Sequence, residues 1–308
     1  MRTLVVGAGA IGGYFGGRLL EAGRDVTFLV RPRRAEQLAH TGLAIRSPLG
    51  NVDRPAPTVT ADRLHGPFDV IVLSCKAYDL EDAMASVAPA VGPDTAILPL
   101  LNGMRHVDLL QQRFGAGAVL GGMCAISTTL DAEGRILHLN DSHLLAFGEQ
   151  DGAPTPRIEA IAAEFAGANF SANASSTIMQ EMWEKWVLIG VVAGITCLMR
   201  APIGDVVAAG AADVATALLD ECAAIARLHG FAPRAVPLER SRAMVTTKGS
   251  PFAASMLRDV ERGARTEVEH VLGDLLRRGG DPAAHPVLRI AYAHLATYEA
   301  QRARVAAA

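Results

Sequence analysis

Residues 4–13 read LVVGAGAIGG, and the rest of the chain is best read outward from them. Leu4, Val5 and Val6 form a short apolar run that leads directly into Gly7-Ala8-Gly9-Ala10-Ile11-Gly12, a G-x-G-x-x-G pattern between an expected strand and an expected helix. In that context each glycine has a separate task. Gly7 permits the tight turn, Gly9 lets a pyrophosphate approach the backbone, and Gly12 lets the helix pack on the strand. The amides of the loop, including those of Ala8, Ala10 and Ile11, then face phosphate at a helix N-terminus. The alternative is a turn with a close helix contact and no ligand.

The helix should run to about Ala22, with Gly23 as its C′ residue, and Asp25–Val30 is the next strand. A nicotinamide-dinucleotide site without a 2′-phosphate places an acidic residue at the end of that strand, but here the sequence is Val30-Arg31-Pro32-Arg33-Arg34. Guanidinium groups there suit the 2′-phosphate of NADPH by charge and by bidentate hydrogen bonding. Arg31 is the first candidate, with Arg33 or Arg34 as helper; the alternative is a solvated first turn of a helix over Arg33 to Ala39. After an expected hairpin over 42–59, Phe68 to Cys75 reads as a buried parallel strand ending at Lys76, and Ala96 to Leu101 as another ending at Asn102-Gly103. Ligands bind at the carboxyl ends of such strands, so Lys76 and Asn102 are candidates; a surface lysine and a plain Asn-Gly turn are the alternatives. Short strands are expected near Ala118–Met123, Ile136–Leu139 and His143–Phe147, then a helix opened by Pro156.

From about residue 175 the pattern changes to long Ala- and Leu-rich helical segments. We therefore expect a Rossmann-type NADP-binding α/β domain over 1–174 and an all-α domain over 175–308. Helices are expected over about Gly204–Gly230, Leu238–Met244, Ser255–Arg278 and Pro286–Arg304, and Val214–His229 is apolar all round, which suits burial or a subunit contact in a homodimer. The first helical segment contains EMWEKWVLIGVVAGITCLMRAPIG, residues 181–204, in which Lys185 precedes a charge-free run from Trp186 to Met199. That run of about 14 residues is shorter than the roughly 20 a membrane span needs, so it reads as a core helix. Lys185 then either meets a polar ligand at the edge of the core or snorkels past Trp183 or Trp186 to water.

Composition narrows the partners. The net charge is −3, and no basic run stands out beyond residues 31–34, so nucleic acid is not expected. Cys75, Cys124, Cys197 and Cys222 are scattered, without a C-x-x-C pair or a histidine at ligand spacing. They read as reduced core residues of a cytoplasmic protein without a metal site. No secretory h-region precedes the first glycines.

Taken together, GAGAIGG, the Arg31 cluster, S-C-K ending at Lys76, L-N-G around Asn102, W-E-K-W with Lys185 and SMLRDVERGARTEVEHVLG over 255–273 resemble the ketopantoate reductase (2-dehydropantoate 2-reductase) family along nearly the whole chain. The resemblance implies an N-terminal Rossmann domain holding NADPH, a helical domain of the 6-phosphogluconate dehydrogenase C-terminal type closing over it, and a small 2-oxo acid reduced between them. It implies Lys185 as the general acid and Glu267 as its partner near cofactor and substrate. It further implies Asn102 as a ligand of both, Ser255 as a substrate ligand and Lys76 as a cofactor ligand. Read without it, Glu267 is a solvated helix residue and Ser255 an N-cap. The implied chemistry is coherent, because an ammonium both stabilises the charge left on a carbonyl oxygen by hydride addition and supplies its proton.

The sequence departs from the family where it matters most. The asparagines usual four and eight residues after the lysine are Ile189 and Ala193, a further one expected near Ile203 is not evident, and the usual Asn-Gly after the glutamate is Leu272-Gly273. A pocket that loses amides loses its discrimination for polar substrate groups. The expectation is therefore a reductase whose substrate is ketopantoate or a less polar carbonyl compound, with a non-catalytic NADP(H) sensor as the alternative from another class.

Overall fold

The structure, a computed structural model, describes residues 1–307 and divides into two compact units. The first comprises Met1–Leu101 and His106–Met179; the second comprises Asn102–Arg105 and the chain from Gln180 onward.

The first unit opens with β1 (Arg2–Val6), α1 (Ala10–Glu21), β2 (Asp25–Leu29) and α2 (Pro32–Thr41). It continues through β3 (Leu43–Arg46), β4 (Val52–Arg54), β5 (Thr58–Val59), β6 (Val70–Leu73), α3 (Leu80–Val87), β7 (Ala96–Pro99) and α4 (Arg105–Phe114). Five of these strands make a parallel sheet in the order β5-β2-β1-β6-β7. The alternation of side chains along β1 sends Val5 to one face and Leu4 and Val6 to the other, and the two faces carry separate buried clusters. Tyr14, Phe15 and Leu19 of α1 cover the first face; Leu80, Met84 and Val87 of α3 and Leu110 of α4 cover the second. The strand order reverses at β1, so the crevice that binds ligands in such sheets opens at the carboxyl ends of β1 and β6.

A second sheet joins β4 and β3 to β8 (Gly121–Leu130), β9 (Ile136–Gly148) and, after α5 (Pro156–Phe165), β10 (Ser171–Ala174). The short strands expected near 118–123, 136–139 and 143–147 are instead two long antiparallel strands with one register shift between Ile126 and Thr128. Polar residues in the middle of β9 bond across this irregularity. The Asn140 side chain accepts from the Ser127 amide at 2.9 Å, and the Ser142 hydroxyl donates to the Ala125 carbonyl at 2.8 Å.

The second unit is built on α6 (Ile178–Met199), α7 (Ile203–Ala208), α8 (Ala212–Leu228), α9 (Ala235–Thr246), α10 (Ser255–Glu261), α11 (Asp274–Arg278) and α12 (Pro286–Ala307). At 22 residues α6 is long and apolar enough to cross a membrane, but 67% of its most apolar window is buried inside the protein, as in a core helix. Glycines let its neighbours approach closely: a Cβ at Gly190 would stand 3.2 Å from Leu275, and one at Gly194 2.8 Å from Leu218. Three helical expectations are corrected. The segment 204–230 is two helices, α7 and α8, separated at Gly210, whose φ is +82°. The segment 255–278 is also interrupted: α10 ends before Gly263 at φ +68°, and helix resumes only after Glu267, as a π-turn over Glu269–Gly273 that runs into α11. α8 is one-sided, burying Leu218, Leu219, Cys222 and Ile225 while Asp213, Asp220 and Arg227 are exposed.

Candidate active site

In the first unit, the glycine loop leaves β1 with Gly7 at φ +91°, and the Gly7 amide donates to the Leu29 carbonyl of β2 at 2.9 Å. Gly9 is the N-cap of α1, and nothing lies within 4 Å of a side chain built there. Gly12 is the opposite case: a Cβ would collide with Ser74 Oγ and the Gly7 carbonyl and would touch Val5 at 3.0 Å. One glycine thus leaves open space over the first turn of α1 while the other brings that helix down on β1 and β6. This is the cradle a dinucleotide pyrophosphate requires, so the residues present fit the cofactor. Ser74, just past β6, donates its hydroxyl to the Val6 carbonyl at 2.9 Å and binds the two strand ends together. Lys76 follows two residues later, half-buried, before the 3₁₀ turn Ala77–Asp79.

The arginine cluster separates into distinct roles. Arg31 is the N-cap residue of α2, with its side chain 74% exposed and its Nη2 donating to Asp79 Oδ1 at 2.9 Å. Arg34 folds back on the glycine loop, donating to the Ala8 carbonyl through Nε at 3.2 Å and Nη2 at 3.0 Å, and to the Gly134 carbonyl at 3.0 Å. Its Nη1 is held by Gln37 at 2.6 Å, and burial lowers its pKa from the usual arginine value. Arg34 therefore braces the loop backbone, and Arg33, which is exposed, is the second cation left for solvent or ligand. Sequence reasoning missed Asp79, although its place three residues after Lys76 at the same sheet edge was a usable signal.

In the second unit, the neighbours of Lys185 on α6 are held on both sides. Glu184 is buried and accepts from the Arg234 amide at 2.9 Å, from Arg234 Nε at 2.8 Å and Nη2 at 2.6 Å, and from Gln180 at 3.0 Å. Burial works to raise its pKa, but these hydrogen bonds and the Arg234 charge together hold it below the usual glutamate value. Trp186 is fully buried and donates from Nε1 to the Val271 carbonyl at 2.9 Å. Trp183 stacks on His229 and Phe231 at centroid distances of 5.2 and 5.6 Å. Lys185, between Glu184 and Trp186, is half-buried and has no hydrogen-bond or ion-pair partner among the described residues.

The bond from Trp186 ends in the π-turn, which Glu267 precedes by two residues. The Glu267 carbonyl accepts from the amides of His270 at 3.0 Å and Val271 at 2.9 Å, so it starts this helix and is not a residue in the middle of one. The loop before it is tied to α12 by Thr266 N to Glu299 Oε1 at 2.6 Å and Tyr298 Oη to the Ala264 carbonyl at 2.8 Å. On the π-turn, His270 is buried against the Asn102-Gly103 loop; a Cβ at Gly103, φ +81°, would stand 2.8 Å from the His270 carbonyl. Burial pushes the His270 pKa down, Glu267 and Asp274 oppose this, and Arg105 and Arg278 reinforce it. The structure thus brings the Asn102 loop, the Lys185 helix and the segment begun by Glu267 onto one π-turn, a feature common at functional sites.

Ser255 joins differently. It is exposed at the first position of α10, whose N-cap is Ala254, and the Ala254 amide reaches Thr196 Oγ1 at 3.4 Å. Thr196 lies three turns beyond Lys185 on nearly the same face of α6, with Ile189 and Ala193 between them. Ile189 is half-buried and Ala193 buried, so the stripe between Lys185 and Thr196 is apolar. Among the described residues no group of three or more His, Cys, Asp or Glu side chains could hold a metal ion. The four cysteines form no disulfide among the described residues; burial pushes the Cys197 thiol up to about 12 and the Cys222 thiol higher.

A parallel sheet in this order with a glycine loop at its reversal point, followed by a helical unit with a lysine set into an apolar helix, defines a dinucleotide-dependent oxidoreductase of two units. Comparison with known proteins makes the class specific: the chain belongs to the ketopantoate reductase PanE/ApbA family, whose N-terminal model matches residues 3–152 and whose C-terminal model matches 177–299. It is 40% identical over 304 residues to an uncharacterized oxidoreductase, YkpB, of Bacillus subtilis, covering 98% of this chain and 100% of the relative. It is 29% identical to a 2-dehydropantoate 2-reductase of Archaeoglobus fulgidus, covering 90% of each chain. The crystal structure of 2-dehydropantoate 2-reductase from Methylococcus capsulatus matches with a TM-score of 0.85 at 28% identity, over 98% of both chains. The chain is accordingly an oxidoreductase acting on a carbonyl or CH–OH group with a nicotinamide cofactor.

Proposed function

We propose that this protein reduces the carbonyl of a 2-oxo acid with NADPH, ketopantoate being the first substrate to test. The carrying observation is Lys185, a half-buried cation with no partner among the described residues on a helix whose adjacent side chains are fully engaged. An ammonium presented in that way has its N–H donors open to a ligand. When bound, the nicotinamide supplies hydride. Gly9 and the first-turn amides of α1 hold the pyrophosphate, Arg31 holds the 2′-phosphate, and Lys76 and Asn102 contact the rest of the cofactor. Lys185 donates the proton to the carbonyl oxygen, Glu267 orients the reacting groups, and Ser255 binds the substrate carboxylate. Pantothenate biosynthesis and a cytoplasmic location go with this reading.

A second reading has its own support. The face of α6 beyond Lys185 presents Ile189 and Ala193, so a carbonyl compound with an apolar substituent suits it better than the hydroxyl of ketopantoate. The relative at 40% identity bears no substrate in its name, whereas the named 2-dehydropantoate 2-reductase cited above is at 29%. Measuring NADPH oxidation with ketopantoate beside 2-oxo acids carrying alkyl or aryl substituents separates the two. Highest kcat/KM with ketopantoate supports the first; a preference of tenfold or more for an apolar analogue supports the second. NADPH binding with no turnover on any member of the panel would sink both.

A further inference from the structure

The end of β2 lacks the acidic residue that would accept the ribose 2′-hydroxyl of a cofactor without a 2′-phosphate, yet the structure supplies a carboxylate from elsewhere. Asp79 closes the 3₁₀ turn after β6, with its amide donating to the Lys76 carbonyl at 2.9 Å. Its Oδ1 accepts from Arg31 Nη2 at 2.9 Å. The two residues are 48 apart in the chain, and their strands, β2 and β6, flank β1 on either side in the parallel sheet. The ion pair therefore joins the segments that leave the sheet on both sides of the glycine loop. Arg31 is 74% exposed and Asp79 32%, so neither charge is locked in the interior.

This arrangement is not a free arginine awaiting a phosphate. An anionic ligand reaching Arg31 has to share its guanidinium with a carboxylate already bonded to it, or displace that carboxylate, and two anions on one cation repel. Arg34 is a poor substitute, because four of its five N–H donors are held by Ala8, Gly134 and Gln37. We infer that Asp79 sets the preference between NADPH and NADH by competing with the 2′-phosphate for Arg31. The inference rests on the reading that Arg31 binds that phosphate. Asp79 lowers NADPH affinity without touching the affinity for NADH, and the protein discriminates less between the two than its arginine cluster suggests.

The test is binding, not turnover: Kd for NADPH and for NADH, from nucleotide fluorescence, in the wild type, Asp79→Asn, Arg31→Ala and the double variant. An exposed ion pair is weak, so Asp79→Asn is expected to tighten NADPH about threefold, with NADH unchanged. In the Arg31→Ala background the same substitution is expected to give no gain. Asp79→Ala, which removes the hydrogen bond along with the charge, should reproduce the gain. No gain in NADPH affinity, a loss, or an equal gain with and without Arg31 overturns the competition. Arg31→Ala weakening NADPH and NADH equally overturns the phosphate reading itself and the competition with it; a loss selective for NADPH keeps that reading while the Asp79 variants decide the inference alone.

Discussion

The two units hold their candidate residues by opposite means. In the first, the site is backbone: glycines at defined positions, strand ends and helix amides, with Gly12 admitting α1 onto β1 and Gly9 leaving space above the turn. In the second, the candidates stand on ordinary helices and loops whose placement depends on side-chain bonds, from Trp186 to Val271, Glu184 to Arg234 and Thr266 to Glu299. The difference separates a candidate site that many substitutions on its surface would leave intact from one in which replacing a single buried donor should shift the candidate residues.

The largest expected effect is at Lys185. Lys185→Met keeps the length and apolar stem but removes the ammonium; kcat should fall by about 10³-fold, within the range of a lost general acid. NADPH affinity should stay within about twofold. Steady-state kinetics on the best substrate of the panel checks this, and retained turnover would remove Lys185 from the mechanism.

Next is Gly12→Ala in the backbone-built unit. The added methyl meets Ser74 Oγ and the Gly7 carbonyl, and the carbonyl is part of the loop itself, so the helix has to lift off the strands. Overpacking of this kind costs about 1–3 kcal/mol and should loosen dinucleotide binding along with stability. A variant with unchanged urea midpoint and unchanged NADPH Kd would show that the close approach is not needed. Gly9→Ala is the internal control: it has space for a methyl and should fold normally, so any loss of nucleotide affinity there reports the ligand's own need for the space.

Trp186→Phe addresses the side-chain-built unit. It removes the Nε1 donor and with it the side-chain bond to the Val271 carbonyl, at a cost of about 1–2 kcal/mol. Because that carbonyl belongs to the π-turn carrying His270 and begun by Glu267, kcat should fall several-fold beyond what stability explains. A normal kcat in a destabilised variant would break the link between the π-turn and the site.

The same contrast explains what the sequence disclosed. G-x-G-x-x-G between a strand and a helix constrains φ angles and close approach over a few residues, so its geometry follows from local identity, and the parallel order around it from topology rules. The long hairpin of β8 and β9 was less legible, because Asn140 and Ser142 read as loop residues while their side chains repair a register shift that only the partner strand creates. In the helical unit, Gly263 is ambiguous between a tolerated helical glycine and a stop; its φ of +68° makes it a stop. The π-turn has no sequence signature at all, and Glu267 thus moved from a helix interior to a helix start. Arg31 was recognisable as a cation at the right strand end, but its carboxylate partner came from a different strand's loop, a relation carried by the sheet order alone.

The smallest effect lies away from both candidate sites and tests whether the units can be perturbed separately. Glu149, buried after β9, accepts from Arg157 Nε at 2.6 Å and from Thr155 Oγ1 at 2.6 Å. The Arg157 hydrogen bonds hold its pKa below the usual glutamate value against the opposing effect of burial. A depressed folded-state pKa means the stabilisation is complete above the unfolded value of about 4.3 and is lost as pH falls through the folded one. Arg157 is partly solvated, so screening limits the loss in Glu149→Gln at pH 7 to about 1 kcal/mol. The gap to wild type should narrow as pH drops below about 4, where the wild-type carboxylate is being neutralised as well. Both tryptophans, Trp183 and Trp186, lie in the helical unit, so their fluorescence follows that unit while circular dichroism follows both. The expected result is a lowered urea midpoint by dichroism with an unshifted one by fluorescence. Equal shifts by the two probes would show that the units unfold as one, and a gap independent of pH would exclude the Glu149 charge as its source.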